Sequence, residues 1–172
     1  VDLETFYRGI NTVAPTLMRV EADEVTYGLH VIVRYEIEKK LIAGTLAVKD
    51  LPEAWNARMQ EYLGIAPGND SEGVLQDVHW AHGSFGYFPT YALGNIYAAQ
   101  FSQAMQRDLG DLDSLIINGD FAAILGWLRT NIHQWGRGKT PLELLNDTTG
   151  VGVSGQPFLD SLNKKYREIY CL

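Results

Sequence analysis

The chain has a single cysteine, Cys171, so an internal disulfide is excluded. A reducing, cytosolic compartment is the simplest setting for such a sequence. It also lacks any uninterrupted apolar run approaching the ~18 residues of a membrane-spanning helix, so no membrane partner is expected. Cations are the minority: 14 Lys and Arg stand against 21 Asp and Glu, for a formal net charge of −7. Only short pairs such as Lys39-Lys40 and Lys164-Lys165 interrupt that balance. A general phosphate-binding surface is therefore not expected, nor is nucleic acid as a partner. No internal repeat, low-complexity stretch or long linker divides the sequence. The opening Val1-Asp2-Leu3-Glu4 carries no initiator methionine, basic segment or apolar segment, so no secretory signal is read there. A chain that opens inside a helical pattern raises the expectation of a fragment.

What is present suits one domain, or one lobe of a larger one. The 172 residues are 46% hydrophobic and 20% charged, enough apolar material for a sizeable core. The periodicity reads as helix after helix, an all-α fold. Leu3, Phe6, Tyr7 and Ile10 share one helical face behind Asp2 as N-cap. A longer helix is expected from Glu21 to Leu41, with Val25, Leu29, Ile32, Val33, Ile37 and Leu41 inward, a Glu36–Lys40 pair at i,i+4, and Gly44 ending it. The charges from Glu36 to Lys40 read as a solvated face. Further helices are expected from Asp50 to Leu63, from Pro89 to Leu109, from Asp120 to Trp135, after Thr140, and through Phe158 to Tyr170. Thr140-Pro141-Leu142-Glu143 combines a capping box with proline at the first helical position. Short extended pieces are expected only near Gly44 to Val48 and Asp77 to Trp80.

One stretch does not read as packing. From Gly73 to Gln100 the sequence is GVLQDVHWAHGSFGYFPTYALGNIYAAQ, in which Trp80, Phe85, Tyr87, Phe88 and Tyr91 alternate with Gly83, Gly86 and Pro89. Rings with polar tips, set among glycines ahead of a helix, suit the wall of a binding site. An aromatic-rich core turn is the alternative.

Within this stretch, Gly73-Val74-Leu75-Gln76-Asp77-Val78-His79-Trp80 resembles the GxxQDxHW motif of the M32 carboxypeptidases, and Gly86-Tyr87-Phe88-Pro89-Thr90-Tyr91 matches that family's GYFPTY motif in full. Upstream, Met18-Arg19-Val20-Glu21-Ala22-Asp23 is similar to its IRxxAD motif, with methionine in place of isoleucine. The closing Lys165-Tyr166-Arg167-Glu168-Ile169-Tyr170 also resembles the family's C-terminus. The resemblance implies that residues 1–172 are the C-terminal part of a single catalytic domain, the helical lobe of a larger, mainly helical zinc metallopeptidase. It implies broad-specificity removal of C-terminal residues from peptides, and a homodimer. The family's HExxH motif and the later HES/GQ motif, which supply its zinc ligands and base, do not occur in this sequence. Both would precede Val1, and the chain alone is expected to hold no metal and to be inactive.

A carboxypeptidase must recognise a free α-carboxylate and activate water against the last peptide bond. Arg19 is the candidate for the carboxylate, because a planar guanidinium can grip it bidentately; an ion pair with Glu21 or Asp23 is its other reading. Tyr87 is the candidate catalytic group, donating to the scissile carbonyl oxygen or oxyanion, or holding the substrate terminus. His79 and Gln76 are candidate substrate contacts. Asp77 and Asp23 stand behind them as positioning groups, and Tyr91 reads as structural. A rival metal site of Asp77, His79 and His82 is disfavoured if the segment is extended, since residues three apart then face oppositely. His30 and His133 read as packing or surface residues on helices. The reading from another class is an independent helical module whose aromatic loop captures a peptide or protein without chemistry.

Overall fold

A computed structural model describes residues 1–172 and contains helices, turns and loops but no strand, an all-α fold as the periodicity implied. In chain order the helices are α1 (Leu3–Ile10), α2 (Tyr27–Ile42), α3 (Leu51–Leu63), α4 (Pro89–Leu109), α5 (Leu112–Ile117), α6 (Phe121–Asn131), α7 (Pro141–Thr149) and α8 (Gln156–Tyr170). Single 3₁₀ turns occupy Arg19–Glu21, Val48–Asp50 and His133–Trp135. No helix is long and apolar enough to cross a membrane. The chain forms two compact units, Val1–Ala92 with Tyr166–Leu172, and Leu93–Lys165.

The first unit is built on α2 and α3. Val33 and Ile37 of α2 and Trp55, Met59 and Leu63 of α3 are buried together with Val74. The spacing of four in each helix puts these side chains on one stripe, so the two stripes close on each other. Trp55 is fully buried, and its truncation to alanine would cost roughly 3–5 kcal/mol. Gly64 ends α3 in the left-handed region at φ 70°, its N–H bonded to Gln60. A Cβ at Gly73 would lie 3.0 Å from Pro67 Cγ and 3.3 Å from the Asn69 carbonyl oxygen, so a side chain there would be crowded. Asp2 caps α1 through the Thr5 N–H at 2.8 Å, and the apolar side chains Leu3, Phe6, Tyr7 and Ile10 of that helix are exposed.

The second unit gathers Ala104 and Met105 of α4 around Trp127 of α6, with Phe101, Leu109, Leu112, Ile124, Leu128 and Ile132 against them. The Trp127 indole N–H donates to Asp108 at 2.8 Å, so the polar edge of the ring is satisfied. Buried Gln100 donates to the Gly152 carbonyl at 2.9 Å and accepts from the Ser154 N–H at 3.0 Å, shaping the loop before α8. Thr140 and Glu143 form the expected capping box at the start of α7.

Several expectations are corrected. The helix expected from Glu21 starts at Tyr27, because Asp23 Oδ1 accepts the N–H groups of Val25 and Thr26, both at 2.9 Å, and holds a turn there. Val25 and Ile32 are exposed rather than inward. The pieces expected to be extended are turns: Thr45 and Leu46 both donate to the Lys40 carbonyl, wrapping the chain over the end of α2, and His82 donates to Val78 and His79. Glu36 pairs with Arg58 of α3 at 3.4 Å and accepts from Tyr62 at 3.0 Å. It therefore looks across to a neighbouring helix, not along its own. Glu38 is buried, not solvated. Helix α6 stops at Asn131, and exposed His133 lies in the 3₁₀ turn that follows.

Candidate functional site

The site residues lie in the first unit, where α2 faces the loop between Gly73 and Phe88. Along α2, His30, Arg34 and Glu38 recur every four residues and are all buried, a polar stripe inside an otherwise packed helix. Arg34 donates from Nε to Asp77 Oδ2 and from Nη1 to the His30 carbonyl at 2.8 Å. Its guanidinium lies 4.6 Å from the centroid of the Trp55 ring, so the cation rests on the core.

Asp77 is shared between two arginines. Besides Arg34, it accepts from Arg19 Nη2 at 2.8 Å. Burial alone would raise the pKa of Asp77, but the hydrogen bonds and charges of Arg19 and Arg34 outweigh it and hold the carboxyl below the usual range. Burial likewise pulls the Arg34 guanidinium down, against the opposing pull of Asp77. Two guanidiniums thus flank one carboxylate, and the buried Glu38 carboxyl lies one turn further along α2. His30 is kept neutral beside the arginines: burial first, then Arg34 and Arg19, depress its pKa from 6.5 to about 4.

The 3₁₀ turn Arg19–Glu21 turns Arg19 inward. Its Nη1 donates to the Tyr27 hydroxyl at 3.3 Å, and its guanidinium stands 4.5 Å from the Tyr91 centroid. The side chain is 7% exposed, so its fork is engaged by Asp77 and Tyr27 rather than open to solvent. His79 Nε2 lies 3.2 Å from the Tyr91 hydroxyl, and its ring packs 4.6 Å from Phe88 and 5.6 Å from Tyr87. Tyr87 also meets Tyr91 edge-on at 5.4 Å, and is half exposed. The outcome is a phenol facing solvent, backed by an imidazole and a second phenol, over a guanidinium pair. Such an arrangement can donate a hydrogen bond to an anionic oxygen.

The structure thus brings Arg19, Asp77, His79 and Tyr87 together. It does not bring in Gln76, whose amide donates back to the Glu72 carbonyl one turn earlier. Asp23 is spent on Val25, Thr26 and the Ala14 N–H, and shapes the entry to α2 without touching Arg19. Sequence reasoning missed His30, Arg34 and Glu38. Their common spacing of four was the available signal, but the same pattern describes a solvated helix face.

Residues 1–166 match the family described as Carboxypeptidase Taq (M32) metallopeptidase. The chain belongs to the M32 carboxypeptidase family. Carboxypeptidase 1 of Bacillus subtilis is 49% identical over 172 residues, which are 100% of this chain and 34% of that protein. Thermostable carboxypeptidase 1 of Thermus thermophilus is 50% identical over 170 residues, 99% of this chain and 33% of that one. The crystal structure of the M32 carboxypeptidase from Deinococcus radiodurans superimposes with a TM-score of 0.97 at 43% identity, covering 100% of this chain and 35% of the other. The chain therefore spans about a third of the length of the M32 relatives it matches. The family is one of metallopeptidases, and in this structure no group of three or more His, Cys, Asp or Glu side chains is placed to hold a metal. His79 Nδ1 is 3.6 Å from Asp77, but Asp77 is already committed to two arginines. The rival Asp77–His79–His82 site fails for that reason and not through extension, since the segment is a turn.

Proposed function

We propose that this chain is the C-terminal part of a single catalytic domain in a longer zinc-dependent carboxypeptidase, and that it builds the substrate side of the cleft. The longer enzyme would remove C-terminal residues from peptides with broad specificity, working as a cytosolic homodimer. Zinc and its ligands would come from outside these residues, and this chain alone would be inactive. When bound, the metal would polarise the scissile carbonyl and activate water.

The observation that carries this reading is the half-exposed Tyr87 ring set over His79, Tyr91 and the Arg19–Asp77–Arg34 cluster. Tyr87 would donate to the carbonyl oxygen as it gains charge, with His79 and Tyr91 fixing its ring. The Arg19 and Arg34 guanidiniums would favour a substrate that ends in a carboxylate. For Arg19 to grip that carboxylate directly, the substrate would have to share the fork now turned to Asp77; otherwise Arg19 acts from behind Tyr91, by position and charge. Gln76 and Asp23 keep at most an indirect part, through the shape of the loop and of the α2 entry.

In the longer protein, Arg19→Ala should lower kcat/KM by about a hundredfold, as misplacement of site groups commonly does, while zinc content stays near normal. Full activity in a folded, zinc-loaded variant would remove Arg19 from the mechanism.

A further inference from the structure

Helix α2 holds the aromatic loop at two places. Arg34 grips Asp77 at its start, and one turn further along the helix Glu38 reaches its middle and end. Glu38 is 5% exposed. Its Oε2 accepts the indole N–H of Trp80 at 2.8 Å, and its Oε1 accepts the backbone N–H of Gly86. Both donors are neutral and each oxygen of the buried carboxyl group accepts one of them, as burial of a polar group requires.

The two contacts do different things. Trp80 is the hub of the ring cluster, 5.8 Å from Phe88, 6.2 Å from Trp55 and 6.5 Å from Phe85. Gly86 sits in the left-handed region at φ 79°, where a side chain would be strained, and is the residue immediately before Tyr87. Holding the Gly86 N–H fixes the Phe85–Gly86 peptide, one residue before Tyr87. We infer that Glu38 is a positioning residue for Tyr87, locking the loop through Trp80 and Gly86 so that the phenol stays over His79. This rests on Tyr87 being the substrate-facing phenol proposed above. The role requires a carboxylate, because an amide offers one acceptor oxygen and would turn its NH₂ against one of the two donors.

The test is Glu38→Gln in the longer protein, read by kinetics, zinc content and hydrogen exchange at the Gly86 amide. The folded, zinc-loaded variant should lose about tenfold to a hundredfold in kcat with KM changed less than about twofold, the mark of a misplaced transition-state donor. Exchange at Gly86 should quicken by at least about tenfold, as for a locally released segment. Trp80→Phe keeps a ring but removes the indole donor; it should leave Gly86 protected and cost less in kcat than Glu38→Gln. It carries the test if Glu38→Gln does not fold, and a wild-type kcat in Trp80→Phe would then overturn the role. Wild-type kcat or unchanged Gly86 exchange in folded Glu38→Gln overturns it as well. A wild-type protein with no peptidase activity would instead refute the proposed function, and the Gly86 exchange would still decide whether Glu38 locks the loop.

Discussion

The unit formed by Val1–Ala92 and Tyr166–Leu172 buries Arg19, His30, Arg34 and Glu38, whereas the unit formed by Leu93–Lys165 buries the neutral Gln100 and Thr148. The second unit satisfies its buried amide, whereas in the first both ring nitrogens of His30 and Nη2 of Arg34 are buried without a hydrogen-bond partner. An amide such as Gln100 needs only two ordinary hydrogen bonds to be accommodated. Charged groups lose far more hydration, and apolar replacements of similar shape are often as stable or more so. Charge kept inside the first unit is therefore hard to account for by stability, and points to work done at that place. The second unit is a scaffold of ordinary helix packing.

That contrast makes perturbations of charge severe in one unit and mild in the other. Asp77→Ala should have the largest effect, because it strands two buried guanidiniums, and breaking a buried pair costs about 3–5 kcal/mol. Denaturant unfolding measures it, and a loss below about 1 kcal/mol would mean the cluster is less dry than its burial implies.

Acid should weaken the same unit next. His30 is neutral in the fold with a pKa of about 4, below its ordinary 6.5, so the unfolded chain takes up the proton first. Its stabilising contribution is complete above pH 6.5 and is lost as the pH falls towards 4, by about 3 kcal/mol in all. Below the ordinary carboxyl value of 3.8, loss continues as Asp77, held low by the arginines, is forced to protonate. Unfolding midpoints between pH 7 and 4 should fall for the native protein and fall less for His30→Leu.

In the second unit the effects should be smaller. Thr140→Ala removes the cap of α7 and should cost about 0.5–2 kcal/mol by the same unfolding assay. Smallest of all is Asp147→Asn, which breaks an exposed pair with Lys139 at 2.7 Å and should leave the unfolding midpoint unchanged. A large effect there would blur the distinction between the units.

Much of the scaffold could be read from the sequence because its signals are local. Asp2, Gly64 and Thr140 each act on their own helix end, and the inward face of α2 through Leu29, Val33 and Ile37 follows from a period of four. The α2 start was misplaced because Asp23 competes for backbone N–H groups that a helix would have used. The candidate site was legible only in part. Arg19, Asp77, His79 and Tyr87 were found through their motifs, whereas Arg34 and Glu38 gain their roles from partners 43 and 48 residues away, which periodicity does not register. Gln76 carries the motif but bonds only to its own turn.

The central claim is that Tyr87 is presented to peptide substrate by the charged cluster behind it. The direct measurement is kcat/KM of Tyr87→Phe in the longer protein, with C-terminally free and C-terminally amidated peptides. Loss of about a hundredfold to a thousandfold on the free peptide, the usual cost of one missing oxyanion donor, is the predicted result, with zinc content unchanged. Wild-type kcat/KM in that variant, or equal cleavage of the amidated peptide by the native protein, would contradict it.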